Sequence, residues 1–213
     1  QEVMVGDDRQ KVAIQVEKQD AENGATVAGA VFGIYNTEDL KNEKGEIIVK
    51  ADTLLQKMTS DNDGLAACTL DLPLGQYYVK ELKAPAGFVS SDEVLNLDAS
   101  YQGQDVKTVK LKTVKKNQPT TVEITKSDVT TGVELDGAKL TVLDKEGNVV
   151  DQWTSVKDQP HVIKRLTVGE EYTLREEMAP YGYLKTTDVK FTLEDTAEIQ
   201  KVEMKDEVPT GLL

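Results

Sequence analysis

A twelve-residue motif occurs twice, and this repetition constrains the fold more than any other feature of the 213-residue chain. Tyr77-Tyr78-Val79-Lys80-Glu81-Leu82-Lys83-Ala84-Pro85-Ala86-Gly87-Phe88 returns as Tyr172-Thr173-Leu174-Arg175-Glu176-Glu177-Met178-Ala179-Pro180-Tyr181-Gly182-Tyr183. Upstream, Leu72-Pro73-Leu74-Gly75 matches Leu166-Thr167-Val168-Gly169, Lys18-Gln19-Asp20 matches Lys126-Ser127-Asp128, and Gly29-Ala30 matches Gly137-Ala138. Self-similarity in several ordered blocks marks a duplicated structural unit. The Lys-to-Gly spacing is 11 in both copies (29 − 18 and 137 − 126), but the Lys-to-Glu spacing is 63 in the first (81 − 18) and 50 in the second (176 − 126). The first copy therefore carries an insertion of 13 residues (63 − 50). The predicted organisation is one domain over 1–118, with the insertion around 37–58 and centred on the charged stretch Thr37 to Lys50, and a second domain over 119–213.

Both copies read as β. Short alternating runs are punctuated by turn signals such as Asn23-Gly24, Asp63-Gly64, Ala86-Gly87, Glu146-Gly147 and Tyr181-Gly182. Only Asp52 to Met58 has helical character, and a helix is expected there. Many short strands in each of two copies predict an all-β protein of two tandem antiparallel sandwiches.

Side-chain phase is the next constraint, because alternate strand residues share a face. Ile14, Val16 and Lys18 share one face, as do Val122, Ile124 and Lys126. Tyr77, Val79 and Glu81 are in phase, as are Tyr172, Leu174 and Glu176, and on the last strand Val202, Met204 and Asp206. Each domain thus aims a lysine and a glutamate into its own core. Desolvation disfavours both charged forms, leaving a neutral amine and a protonated carboxyl. Beside an Asn or Asp side chain, such an amine can attack the carbonyl carbon while the glutamate moves protons. The product is an amide, with ammonia or water released. Fixed juxtaposition is worth an effective molarity of about 10⁵ M or more. The plain alternative is a buried Lys–Glu ion pair with no covalent bond.

The Lys-x-Asp strand, the Gly-Ala step, the Tyr-x-aliphatic-basic-Glu-x-x-Ala-Pro-x-Gly-aromatic motif and the closing strand Val202-Glu203-Met204-Lys205-Asp206-Glu207-Val208-Pro209-Thr210 resemble the CnaB-type, prealbumin-like (Ig-like) domains of Gram-positive pilins and adhesins. The resemblance runs from about Val12 to Thr210. It implies an isopeptide bond in each domain: Lys18 and Lys126 as nucleophiles, Glu81 and Glu176 as catalytic proton shuttles, Asn117 and Asp206 as acceptors. The Asn117 register is irregular. Val109, Leu111 and Thr113 are in phase with it, but Lys115 then faces inward and Val114 breaks the alternation, so a β-bulge is expected between them.

The resemblance further implies a structural stalk or shaft segment of a cell-surface or pilus protein, extracellular and anchored to the cell wall. Its partners would be neighbouring domains of the same protein or pilus. An adhesin module that binds host extracellular matrix protein or glycan is the alternative, and an enzyme acting on an external substrate ranks third. The formal charge of −13 argues against nucleic acid and anionic membrane surfaces, and direct membrane contact is not expected. A secretion signal and a complete sorting signal are not legible at the termini, and neither is a pilin lysine motif.

No metal or cofactor is expected. One histidine, His161, cannot build a metal site alone, and Asp61-Asn62-Asp63-Gly64 lacks the glutamate that would complete a calcium loop, so a hairpin turn is predicted. The single cysteine, Cys68, excludes an intrachain disulfide and reads as a packed thiol. Trp153 and Tyr181 read as packing or rim aromatics. Glu176 and Glu177, adjacent on a strand, face opposite sides and cannot act as a glycosidase pair.

Overall fold

The computed structural model describes residues 9–210, which form strands and turns without a helix. The chain divides into two compact units, one comprising 1–85 and 90–118, the other 86–89 and 119–213.

The first unit contains β1 (Lys11–Asp20), β2 (Val31–Asn36), β3 (Leu40–Lys41), β4 (Ile47–Val49), β5 (Leu54–Thr59), β6 (Leu65–Ala67), β7 (Gly75–Lys83), β8 (Val94–Ala99) and β9 (Thr108–Asn117). The second contains β10 (Thr121–Asp128), β11 (Lys139–Leu143), β12 (Val149–Thr154), β13 (His161–Lys164), β14 (Glu171–Met178), β15 (Val189–Thr192) and β16 (Gln200–Asp206). Their sheets correspond one to one. A three-stranded sheet, β6-β1-β9 or β13-β10-β16, faces a four-stranded sheet, β5-β2-β7-β8 or β12-β11-β14-β15. The hairpin β3-β4 occupies 37–53 of the first unit, where the second has a turn at 144–148.

The first and last strands of each sandwich, β1 with β9 and β10 with β16, pair in parallel, while the other strand pairs within the four main sheets are antiparallel. Parallel neighbours need a long crossover, and here the whole remainder of the domain supplies it. Each core draws on both sheets. Ile14, Val16 and Val109 meet Phe32, Ile34, Tyr77 and Val79 in the first unit. Val122, Ile124 and Met204 meet Leu140, Val142, Tyr172 and Leu174 in the second.

Two expectations are corrected here. Asp52 to Met58 is not helical. Leu54–Thr59 is β5, an edge strand whose Met58 enters the core while Lys57 and Thr59 face out. No bulge interrupts β9 either. Its pairing with β1 is continuous from Lys11 opposite Thr108 to Asp20 opposite Asn117, and Lys115 does face inward.

The repeated dipeptides have local structural roles. Gly29 and Gly137 take φ of 87° and 86°, which disfavours any side chain. The following Ala30 and Ala138 amides donate to the buried Ser60 and Ser155 hydroxyls, each at 3.0 Å. The Asp61-to-Gly64 segment, expected as a hairpin turn, is instead a tight turn that carries the chain from β5 to β6 in the opposite sheet, with the Asp61 side chain accepting from the amides of Asp63 and Leu65.

Truncating Phe32, which is fully buried, to alanine should cost about 3–5 kcal/mol in the unfolding of the first domain. Truncating the exposed Val149 should change stability by no more than about 0.5 kcal/mol. Calorimetric unfolding of the two variants checks both.

Candidate functional site: two buried lysine–carboxyl clusters

In the second domain the strand phase of β10 carries Val122, Ile124 and Lys126 into the core together. Parallel pairing sets Lys126 opposite Met204 and Asp128 opposite Asp206, so Lys126 and Asp206 are diagonal neighbours on one face. The Lys126 ammonium hydrogen-bonds Asp206 Oδ1 and lies 3.1 Å from Glu176 Oε1. All three side chains are buried. The other Glu176 oxygen accepts the Thr186 amide at 2.9 Å, which fixes its carboxyl plane. Burial pushes the Asp206 carboxyl up to about 6, against the pull of Lys126, with the Glu176 charge adding to the rise. One ammonium thus faces two carboxyls in the buried core.

The first domain repeats the frame with different chemistry. Lys18 is fully buried, its ammonium donates to the Gln19 carbonyl at 2.9 Å, and burial pushes its pKa down to about 8 although Glu81 pulls it up. Asn117, also buried, donates from Nδ2 to Glu81 Oε2 at 2.6 Å. Lys18 stands opposite Lys115 and Asp20 opposite Asn117, the same diagonal as in the second domain. Six residues singled out from sequence therefore form two clusters: Lys18, Glu81 and Asn117 in one, Lys126, Glu176 and Asp206 in the other.

Several supporting elements come from the structure. Both glutamates border a β-bulge, because Phe32 pairs with Glu81 and Val31 with Lys83, while Leu140 pairs with Glu176 and Lys139 with Met178. The extra residue, Leu82 or Glu177, ends the regular pairing just after the glutamate, a position where bulges re-aim side chains. Asp20 and Asp128 of the Lys-x-Asp motif close the turn after the lysine strand: Asp20 accepts from the Glu22 amide, and Asp128 accepts from those of Thr130 and Thr131. These amides, Thr131 first, hold the Asp128 carboxyl below its usual range.

Lys115 is as deeply buried as Lys18, and its ammonium binds Ser91 Oγ at 2.6 Å and Glu93 Oε2 at 2.5 Å. Its inward phase was visible in the sequence, whereas its partners before β8 were not.

Of the remaining candidates, Trp153, His161 and Cys68 have packing roles and Tyr181 does not. Trp153 packs against the second core and stacks on His161 at 4.0 Å, while His161 Nε2 lies 2.8 Å from Asp151. Cys68 packs against the first core, and burial pushes its thiol up. Tyr181 is fully exposed. Among the described residues no cluster of three His, Cys, Asp or Glu side chains could hold a metal ion, and no helix is long and apolar enough to cross a membrane.

Comparison with known proteins agrees with this architecture. The trypsin-resistant surface T6 protein of Streptococcus pyogenes serotype M6 is 30% identical over 95 residues, 45% of this chain and 15% of that protein. The solved TIE protein of Bacillus anthracis matches 93% of the chain at 27% identity with a TM-score of 0.55, and the chain covers 34% of it. A C-terminal fragment of the pilus adhesin SpaC from Lactobacillus rhamnosus GG shares the fold, at 14% identity and a TM-score of 0.53 over 96% of the chain and the whole of that fragment. The chain thus spans well under half of the first two relatives. The SpaA family model, described as a prealbumin-like fold domain, matches residues 12–115 and again 120–208. The chain belongs to this SpaA prealbumin-like family and contains two of its domains in tandem.

Proposed function

We propose that each domain joins its first strand to its last by an autocatalytic intramolecular isopeptide bond, and that the pair is a structural stalk segment of a Gram-positive surface or pilus protein. The observation that carries this reading is the buried contact of Lys126 with both Asp206 and Glu176. The 30% identity to a streptococcal surface protein supports the extracellular setting, and wall anchoring with neighbouring domains as partners belongs to the same proposal.

In the second domain the neutral Lys126 amine attacks Asp206 Cγ. A C–N bond forms, a C–O bond breaks, and Glu176 takes the amine proton and returns it to the departing hydroxyl, so water leaves. In the first domain Lys18 attacks Asn117 Cγ, Glu81 carries the proton to the departing amino group, and ammonia leaves. Each glutamate ends in its starting protonation state after one turnover. The dry core disfavours the reverse hydrolysis.

Strand order turns this chemistry into mechanics. Tension entering at Lys11 runs along β1 to Lys18, crosses the bond and leaves at Asn117, bypassing the fold between them. In the second domain it passes from Thr121 through Lys126 to Asp206. The bonds close loops of 99 (117 − 18) and 80 (206 − 126) positions. By chain entropy each contributes about 4–5 kcal/mol through the unfolded state.

Intact mass under denaturing conditions should be lower than the sequence mass by one ammonia plus one water. Glu81→Ala should restore only the ammonia and Glu176→Ala only the water; an undiminished mass for the unsubstituted chain would refute the proposal.

A second prediction concerns pH. In an Asn117→Ala chain Lys18 stays free and titrates near 8 in the folded state against 10.5 for an ordinary lysine. Between these values the unfolded chain binds a proton that the folded chain has shed, so first-domain stability should rise with pH, by at most about 3 kcal/mol. The linked chain should lack this gain because its amide nitrogen does not titrate. Urea unfolding from pH 7.5 to 10 measures the difference.

A further inference from the structure

We propose that Lys115 is a positioning residue for the first-domain cross-link: its fixed positive charge lies beside Lys18 and biases that amine toward its neutral, nucleophilic form. The proposal rests on the isopeptide reading of the first domain and assigns a role that this reading leaves open.

The geometry is specific. Lys18 and Lys115 are directly opposite one another in the parallel β1-β9 ladder, both face the core, and both are at most 1% exposed. Two ammonium groups in one dry compartment repel, and proton loss from either relieves the repulsion. The partners decide which one gives way. Lys115 is held by a hydrogen bond to Ser91 Oγ at 2.6 Å and by an ion pair with Glu93 Oε2 at 2.5 Å. Lys18 is surrounded by Glu81 from β7, by Asn117 and Lys115 from β9, and by Asp20 and the Gln19 carbonyl of its own strand. Its downward shift has burial as the main cause, with the Lys115 charge contributing in the same direction while Glu81 and Asp20 oppose it. A lysine that is desolvated and next to a second cation is a recognised way of activating an amine.

Comparison of the two domains explains why only one needs this device. The residue opposite Lys126 in the second domain is Met204, which carries no charge. There the acceptor is an acid: one proton passing from Lys126 to Asp206 makes the amine nucleophilic and the carboxyl electrophilic together. The Asn117 amide cannot take that proton. Lys18 can pass its proton only to a neighbouring carboxylate or to solvent, and a cation at its side supplies the missing bias.

The test combines a direct titration with a reaction rate. In the full chain carrying Asn117→Ala, which cannot link its first domain, the Lys18 side chain is titrated by NMR with and without Lys115→Met. The midpoint should rise from about 8 by roughly one unit or more, a tenfold smaller neutral fraction near pH 7. Lys115→Arg, which keeps the charge, should leave it near the original value. Met204 shows that methionine suits the equivalent site, and Lys115→Gln, which keeps a donor for Ser91, serves if the methionine variant fails to fold.

In chains with Asn117 intact, quenched from cell-free translation into acid urea and then refolded, ammonia loss at pH 7 should be about tenfold slower with Lys115→Met and near normal with Lys115→Arg. An unchanged Lys18 midpoint, or arginine behaving like methionine, would overturn the role of Lys115 while leaving the isopeptide reading intact. Absence of ammonia loss from the chain with Lys18, Glu81, Asn117 and Lys115 all in place would overturn both.

Discussion

A lysine without water beside a carboxyl is the constraint on which each of these domains depends. Neither partner is comfortable as an ion there, and neither can leave, because the aliphatic residues in phase with it, Ile14 and Val16 or Val122 and Ile124, lock the strand face inward. Pushing Lys18 down to about 8 means that its charged form costs roughly 3 kcal/mol relative to an exposed lysine. In the proposed reaction that destabilisation is removed by converting the amine to an amide, which needs no counter-ion. The sandwich is thus less a container for the chemistry than its driving arrangement.

The two domains share a frame and differ in what stands inside it. The turn-closing aspartates, the buried Ser60 and Ser155, and the bulge after each glutamate recur at equivalent places. They fix the ends of the lysine strand, the entry of β2 or β11, and the glutamate. The proposed acceptor and the residue opposite the lysine vary: Asn117 with Lys115 in one copy, Asp206 with Met204 in the other. In the proposed reaction a neutral amide and an acid place different demands on the attacking amine, and the residue opposite that amine differs between the two copies.

Much of this was legible in the sequence because strand phase depends only on counting in twos. The inward aim of Lys18, Lys126, Glu176 and Asp206 follows from the apolar residues two and four positions before them, and burial agrees. What escaped depended on contacts between distant segments. Asp52 to Met58 looks helical in isolation, yet pairing with β2 draws Leu54–Thr59 into a sheet edge. From the sequence, an inward Lys115 and the broken alternation at Val114 predict a bulge in β9. The structure keeps the regular register and satisfies the lysine from Ser91 and Glu93, more than twenty residues away. Bulges do follow the two glutamates, and no local signal marks them.

The parallel pairing of first and last strands has a topological consequence. With the proposed bond between Lys18 and Asn117, everything between them would be a closed ring hanging from a short continuous covalent path. The exposed hairpin β3-β4, with Lys41 and Lys44 open to solvent, lies in that ring. A protease that cut there would open the ring without severing the chain, because the path from Lys11 to Lys18 and across to Asn117 would remain covalent. With the proposed bond in place, this exposed loop is one whose cleavage would leave the ends of the first domain connected.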